Sequence, residues 1–190
     1  AHNHINFDPG SDCSDCHWRQ GYPDLPYYYT PAVIAVRADS GLSTLADLEG
    51  QALCVGSATT YDQWLNGDFE GLGLPESSIY AQPPANVTVV PLPTDQECAQ
   101  AIAAGREDFV GYVTSDTVVN ANLAAGFPIV KLGSAVYSED LAAAVDKSST
   151  LPTATLLEEV NKIINGMHSD GTLSELSNKW FGEDLTQAPN

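Results

Sequence analysis

Basic residues are scarce in this chain. Seven lysines and arginines stand against 25 aspartates and glutamates, a formal net charge of −18 at pH 7. A surface of that sign repels nucleic acid and anionic lipid, so neither is expected as a partner. Such charge reads first as a solvated surface rather than as a preference for cations. Long hydrophobic runs are lacking too. Nothing approaches the roughly 20 consecutive apolar residues of a spanning helix, so no membrane insertion is expected. No leader peptide is visible, and Ala1-His2-Asn3-His4 reads as a mature or trimmed end. Also missing are a Ser-His-Asp elbow, a Walker loop, a Rossmann glycine fingerprint and a paired-carboxylate signature. The expectation is a protein without catalysis.

What is present is globular. The 190 residues are 43% hydrophobic and 17% charged, a composition that buries a core instead of staying disordered. Four cysteines, little lysine and much threonine, serine and glycine suggest an exported protein in the periplasm, at the cell surface or secreted. The Asn86-Val87-Thr88 sequon is read as incidental.

Residues 1–26 hold His, Asp, Cys, Gly and Pro with little apolar periodicity and read as an irregular segment. From Tyr27 the pattern alternates. Tyr27 to Arg37 is a strand, and a short helix follows at Leu45 to Leu48 with Ser43 or Thr44 as cap. Ala52 to Val55 is a strand leading into a helix that reaches Trp64-Leu65, and 66–86 reads as loop. Val87 to Val90 is a strand. Thr94-Asp95-Gln96-Glu97 is a capping box that opens a helix ending near Gly105. Phe109 to Val113 is a strand, Ser115 caps the next helix, and Ile129 to Leu132 and Leu141 to Val145 are two further strands. Leu156, Leu157, Val160, Ile163, Ile164 and Met167 trace one helix face, and Leu173 to Trp180 form the last helix, anchored by Trp180 and Phe181. This order predicts an α/β fold with a parallel-rich sheet flanked by helices on both faces. The expected division is 1–26, an α/β domain over 27–137, and a terminal strand with helices over 138–190.

Cys54 lies in a core strand and Cys98 one turn into the helix expected beside it, so the two are expected to form a disulfide, the alternative being two buried thiols. Cys13-Ser14-Asp15-Cys16-His17 matches C-x-x-C-H, the attachment pattern of c-type haem. Two thiols would bond the vinyl groups, His17 would bind iron, and His2, His4 or His168 could lie opposite. A small disulfide loop or a zinc site with His2 and His4 fits the same residues. A haem-binding or electron-transfer protein is therefore the alternative function.

Three stretches, in order, resemble the family 3 solute-binding proteins. They are the aromatic segment Pro26-Tyr27-Tyr28-Tyr29-Thr30-Pro31, the pair Leu45-Ala46-Asp47-Leu48-Glu49-Gly50 with Cys54-Val55-Gly56-Ser57-Ala58-Thr59-Thr60, and Ser169-Asp170-Gly171-Thr172 with Lys179-Trp180-Phe181-Gly182. The resemblance implies a periplasmic-binding-protein-like lobe, a small polar amino-acid-like solute and an ABC permease as partner. It also implies that the first lobe is largely missing, because only 26 residues precede the aromatic crossover. The ligand-binding residues it points to are Ser57, Thr59 and Thr60 in one loop, Tyr112 and Thr114 at a second strand end, and Tyr29 in the crossover. Backbone N–H groups and hydroxyls at a helix start suit a carboxylate. Val113 stands where amino-acid-binding members carry the aspartate for the ligand's ammonium. Asp116, three residues on, is the nearest substitute in sequence.

Overall fold

The computed structural model describes residues 26–143, 150 and 153–187. The chain divides into two compact units, one of them Pro31–Glu139. The other takes residues 26–30 and the described residues from Asp140 onward.

The first unit is built on a five-stranded sheet in the order β3-β2-β4-β1-β5. The strands are β1 (Tyr28–Arg37), β2 (Ala52–Gly56), β3 (Thr88–Leu92), β4 (Gly111–Ser115) and β5 (Ile129–Leu141). β2 pairs in parallel with both β3 and β4, whereas β1 runs antiparallel to β4, Ile34 opposite Val113. The sheet is therefore mixed, with β2, β3 and β4 forming its parallel part.

Alternation along the strands makes two cores. Ala32, Ile34 and Val36 of β1, Leu53 and Val55 of β2, and Val113 of β4 share one face with Tyr61, Trp64, Leu65 and Leu72. These come from α1 (Thr60–Leu65) and α2 (Phe69–Leu72). Val33, Ala35, Cys54 and Tyr112 point the other way, to Cys98, Ala99, Ile102 and Val119. These come from α3 (Asp95–Ala103) and α4 (Asp116–Ala124). Successive side chains of a strand face opposite sides, so the central strands β2 and β4, covered on both faces, are buried at nearly every position. The Cys54–Cys98 disulfide forms within the second core, Cα to Cα 5.8 Å, and joins β2 to α3.

Threonine caps hold the helix starts. The hydroxyls of Thr44, Thr59 and Thr94 each accept an N–H three residues on, and Thr44 with Asp47 forms a complete capping box. At Thr94 the box is only half made, because the Glu97 carboxylate receives the Thr94 hydroxyl instead of reaching a backbone N–H. Ser115 precedes α4 but makes no cap bond; its hydroxyl lies 3.1 Å from that of Thr117.

Two expectations are corrected. The 66–86 stretch contains α2 and a 3₁₀ turn at Glu76–Ser78. The strand expected over Ile129 to Leu132 runs on to Leu141, and Ala144 and Val145 of the second expected strand lie outside the described residues. Gly133-Ser134 reads as a break in sequence, but Gly133 takes φ 66°, which glycine adopts without strain, and the strand runs on.

In the second unit α5 (Thr153–Ser169) and α6 (Thr172–Phe181) pack together. The Ser177 hydroxyl donates to the Glu183 carbonyl at 2.7 Å and accepts the Leu185 N–H at 2.9 Å, which pins the chain after α6. Phe181 stacks on Tyr28 with ring centroids 5.4 Å apart. Trp180 does not anchor the helix as expected, being 70% exposed.

Candidate functional site

Strands β2, β3 and β4 are parallel to one another, and each runs directly into a helix: β2 into α1, β3 into α3, β4 into α4. Three helix N-termini therefore gather at the carboxyl edge of the sheet, where ligands of α/β sheets collect.

The β2–α1 loop is tied to the end of β3. Both the N–H and the hydroxyl of Ser57 donate to the Leu92 carbonyl, at 2.7 and 3.0 Å. Ala58 takes φ 56°, a left-handed conformation costing an L-residue about 1–2 kcal/mol. Its N–H donates to the Asp62 carboxylate at 3.3 Å, so Asp62 and the loop brace one another. The Thr59 hydroxyl donates to the Gly56 carbonyl at 2.7 Å while accepting the Asp62 N–H. With Ser57 and Ala58 so occupied, the amides left without an acceptor among the described residues are those of Thr59 and Thr60. The Thr60 hydroxyl lies beside that of Tyr137, whose phenol burial pushes well above its ordinary value, helped by the charges of Glu139 and Tyr61.

Tyr112 and Thr114 lie at the end of β4 on the face covered by α3 and α4, and both are fully buried. The Tyr112 hydroxyl accepts from the Asn122 amide at 3.1 Å, and Asn122 accepts from Gln96 at 3.1 Å. Burial raises the Tyr112 phenol, the Asn122 bond opposes the rise, and the negative charge of Asp95 adds to it. The Thr114 hydroxyl donates to the carboxylate of Asp95. These two residues thus stand behind the edge, holding α3 and α4 against β4.

Asp95 is the residue that sequence reasoning passed over, having assigned it only to a capping box. It opens α3, is 6% exposed, and stands at the end of β3 as Thr60 stands after β2. A Cβ placed on Gly56 would lie 3.0 Å from the Asp95 nitrogen, 3.1 Å from Asp95 Oδ1 and 3.2 Å from Thr59 Cγ2. Gly56, Thr59 and Asp95 therefore meet at one point. The acid after a strand end, one residue past a threonine cap, was the signal that could have found it.

Val113 is buried in the opposite core, and the Asp116 carboxylate is paired with Lys131. Tyr29 belongs to the second unit, where its N–H donates to the Leu185 carbonyl at 2.7 Å. Its phenol is raised by burial first and then by the charge of Asp140. Cys13, Cys16 and His17 lie outside the described residues, as do His2 and His4. His168 Nε2 donates to the Pro26 carbonyl at 2.8 Å. Among the described residues no group of three or more His, Cys, Asp or Glu is placed to hold a metal ion, and no helix is long and apolar enough to cross a membrane.

The profile of the bacterial extracellular solute-binding proteins, family 3, matches residues 22–183. The L-cystine-binding protein TcyJ of Bacillus subtilis (strain 168) is 27% identical over 88% of this chain and 57% of its own length. Its namesake from Escherichia coli (strain K12) is 28% identical over 82% of this chain and 51% of its own length. The chain thus spans about half the length of these curated relatives. Among solved structures, the substrate-binding protein of an amino acid ABC transporter superposes with a TM-score of 0.65, at 24% identity, over 84% of this chain and 63% of that one. That likeness bears on the fold.

Proposed function

The chain belongs to the bacterial extracellular solute-binding proteins, family 3, and from that premise we propose that it serves an ABC importer outside the cytoplasm as its solute-binding component. It takes a small amino-acid-like solute, hands it to a permease, and does so without catalysis. The observation that carries the reading is the β2–α1 loop, where the Thr59 and Thr60 amides stand without acceptors at a sheet edge to which three helix N-termini point. Backbone amides at a helix start bind a carboxylate well, because the donors and the dipole act together. Thr59 and Thr60 are the ligand-binding residues of the loop, and Ser57, with its N–H and hydroxyl on the Leu92 carbonyl, holds the loop in place. Tyr112 and Thr114 act through Asn122 and Asp95 as positioning residues. Relatives that bind L-cystine, each matched over most of this chain, support an amino acid as the solute.

Calorimetric titration of L-cystine tests the reading, with Thr60→Pro and Tyr112→Ala as companions to the parent chain. Thr60→Pro removes the amide donor at the first helical position, where proline is tolerated, and is expected to weaken binding by about tenfold, the value of a hydrogen bond to a charged group. Losing Tyr112 is expected to weaken it by less, through displaced α4. Binding that neither change alters would place the solute elsewhere.

A further inference from the structure

We propose that Asp95 receives a cationic nitrogen of the solute, an ammonium in the first instance, at the carboxyl edge of the sheet; the inference rests on the reading of that edge as the solute site. Asp95 is more than nine-tenths buried, and its one side-chain hydrogen bond among the described residues comes from Thr114. A single hydroxyl is small compensation for a carboxylate removed from water. Among the described residues no basic side chain pairs with it. The ion pairs of the described residues join Arg37 to Asp39, Arg106 to Asp108, Lys131 to Asp116 and Lys162 to Glu159.

The other acids at this edge are engaged. Asp62 accepts the Ala58 N–H with one oxygen and the Asn66 amide with the other, at 3.3 and 2.8 Å. Asp116 holds Lys131 and accepts from Asn120. Asp95 differs in having Oδ1 turned toward the Cα of Gly56, on the side where Thr59 begins the solute loop. Gly56 takes an ordinary φ, so its lack of a side chain serves space and not backbone freedom. Any Cβ there would press on Asp95 Oδ1 and on the Asp95 nitrogen, both within about 3 Å.

The consequence is a site with two complementary ends. The Thr59 and Thr60 amides offer donors to a carboxylate, and Asp95, beside Thr59, offers an acceptor to an ammonium. An α-amino acid carries both groups on one carbon. The buried Val113 removes the acceptor that the family resemblance places on β4, and Asp95 supplies one from α3.

The test titrates L-cystine and N,N′-diacetyl-L-cystine against the parent chain, Asp95→Asn and Gly56→Ala, with melting midpoints recorded for each. Acetylation removes the positive charge of the amines. Asparagine keeps an oxygen for the Thr114 hydroxyl while removing the negative charge. The parent is expected to prefer L-cystine by tenfold or more. Asp95→Asn is expected to lose tenfold or more for L-cystine and nothing for the diacetyl compound. Gly56→Ala, which displaces the carboxylate without neutralising it, is expected to lose several-fold for L-cystine alone and serves if the asparagine variant does not fold. Equal losses for both compounds, or unchanged preference in both variants, would overturn the assignment. If L-cystine binds and Thr60→Pro weakens it while the Asp95 and Gly56 changes do not, only the role of Asp95 fails. If the parent binds neither compound, the site reading falls with it.

Discussion

Two tryptophans, each carried on a helix, meet opposite fates in the two units. Trp64 of α1 is fully buried, with its indole N–H donating to the Ala81 carbonyl at 3.0 Å. Trp180 of α6 is 70% exposed, with the Lys179 ammonium 5.2 Å from its ring centre. The same contrast runs along α5, where Leu157 and Ile164 are buried while their neighbours Leu156 and Ile163 are 57% and 60% exposed. In the first unit a sheet offers two faces and helices cover both, so each apolar stripe finds a partner. In the second, α5 and α6 carry apolar stripes wider than the surface they cover. A helical apolar pattern therefore announces a face that can be buried, not one that is.

The sharpest way to break this comparison is to remove each tryptophan. Trp64→Ala is expected to lower the unfolding free energy by about 3–5 kcal/mol, because it opens a cavity in the larger core and orphans the Ala81 carbonyl. Denaturant titration followed by circular dichroism measures it, and a loss below 1 kcal/mol would show that the first core is loosely packed.

Reducing the Cys54–Cys98 bond, or replacing both residues by serine, is expected to cost the first unit about 2–4 kcal/mol, as suits a sequence separation of 44 in the chain-entropy view. Hydrogen exchange read peptide by peptide should show the loss in β2 and α3 and leave α5 and α6 unchanged. Equal loss in both units would mean that they unfold as one.

Trp180→Ala, the counterpart of the first change, is expected to cost under about 1 kcal/mol, the value of an exposed cation–π contact. The difference between the two tryptophans, measured in one denaturant series, is the quantity that tests the contrast.

The smallest expected effect is a response to acid in the second unit. The Asp184 carboxyl is held below its ordinary value by the Thr186 hydroxyl and N–H, then by Ser174. A depressed carboxyl stabilises the fold above its unfolded pKa and loses that contribution as pH falls through the folded value, so the loss lies below about pH 4. Asp184→Asn should flatten this part of the stability profile without altering it at pH 7 in slope. An unchanged acid limb would assign the effect to other carboxylates.

Much of this architecture was legible in the sequence because it is local. Thr44, Thr59 and Thr94 announce their helices through hydrogen bonds spanning three residues, and the alternation of Val33-Ile34-Ala35-Val36 announces a strand whatever surrounds it. The family motifs were equally legible, being contiguous stretches. The solute edge was legible only in part. Ser57, Thr59 and Thr60 were named from their loop, but the sequence is silent on which face of β4 Tyr112 and Thr114 take, and that face is roofed by two helices.

By itself the sequence determined the order of the elements and their caps, since each depends on residues close along the chain. Only the tertiary structure decided that β1 lies between β4 and β5 and antiparallel to β4, that Val113 and Tyr112 fall into opposite cores, and that Asp95 comes to rest against Gly56. Strand direction and register are set by pairing between distant segments, and a shift of one residue turns every side chain to the other face. The place of a carboxylate some 40 residues from its neighbour follows from that register alone.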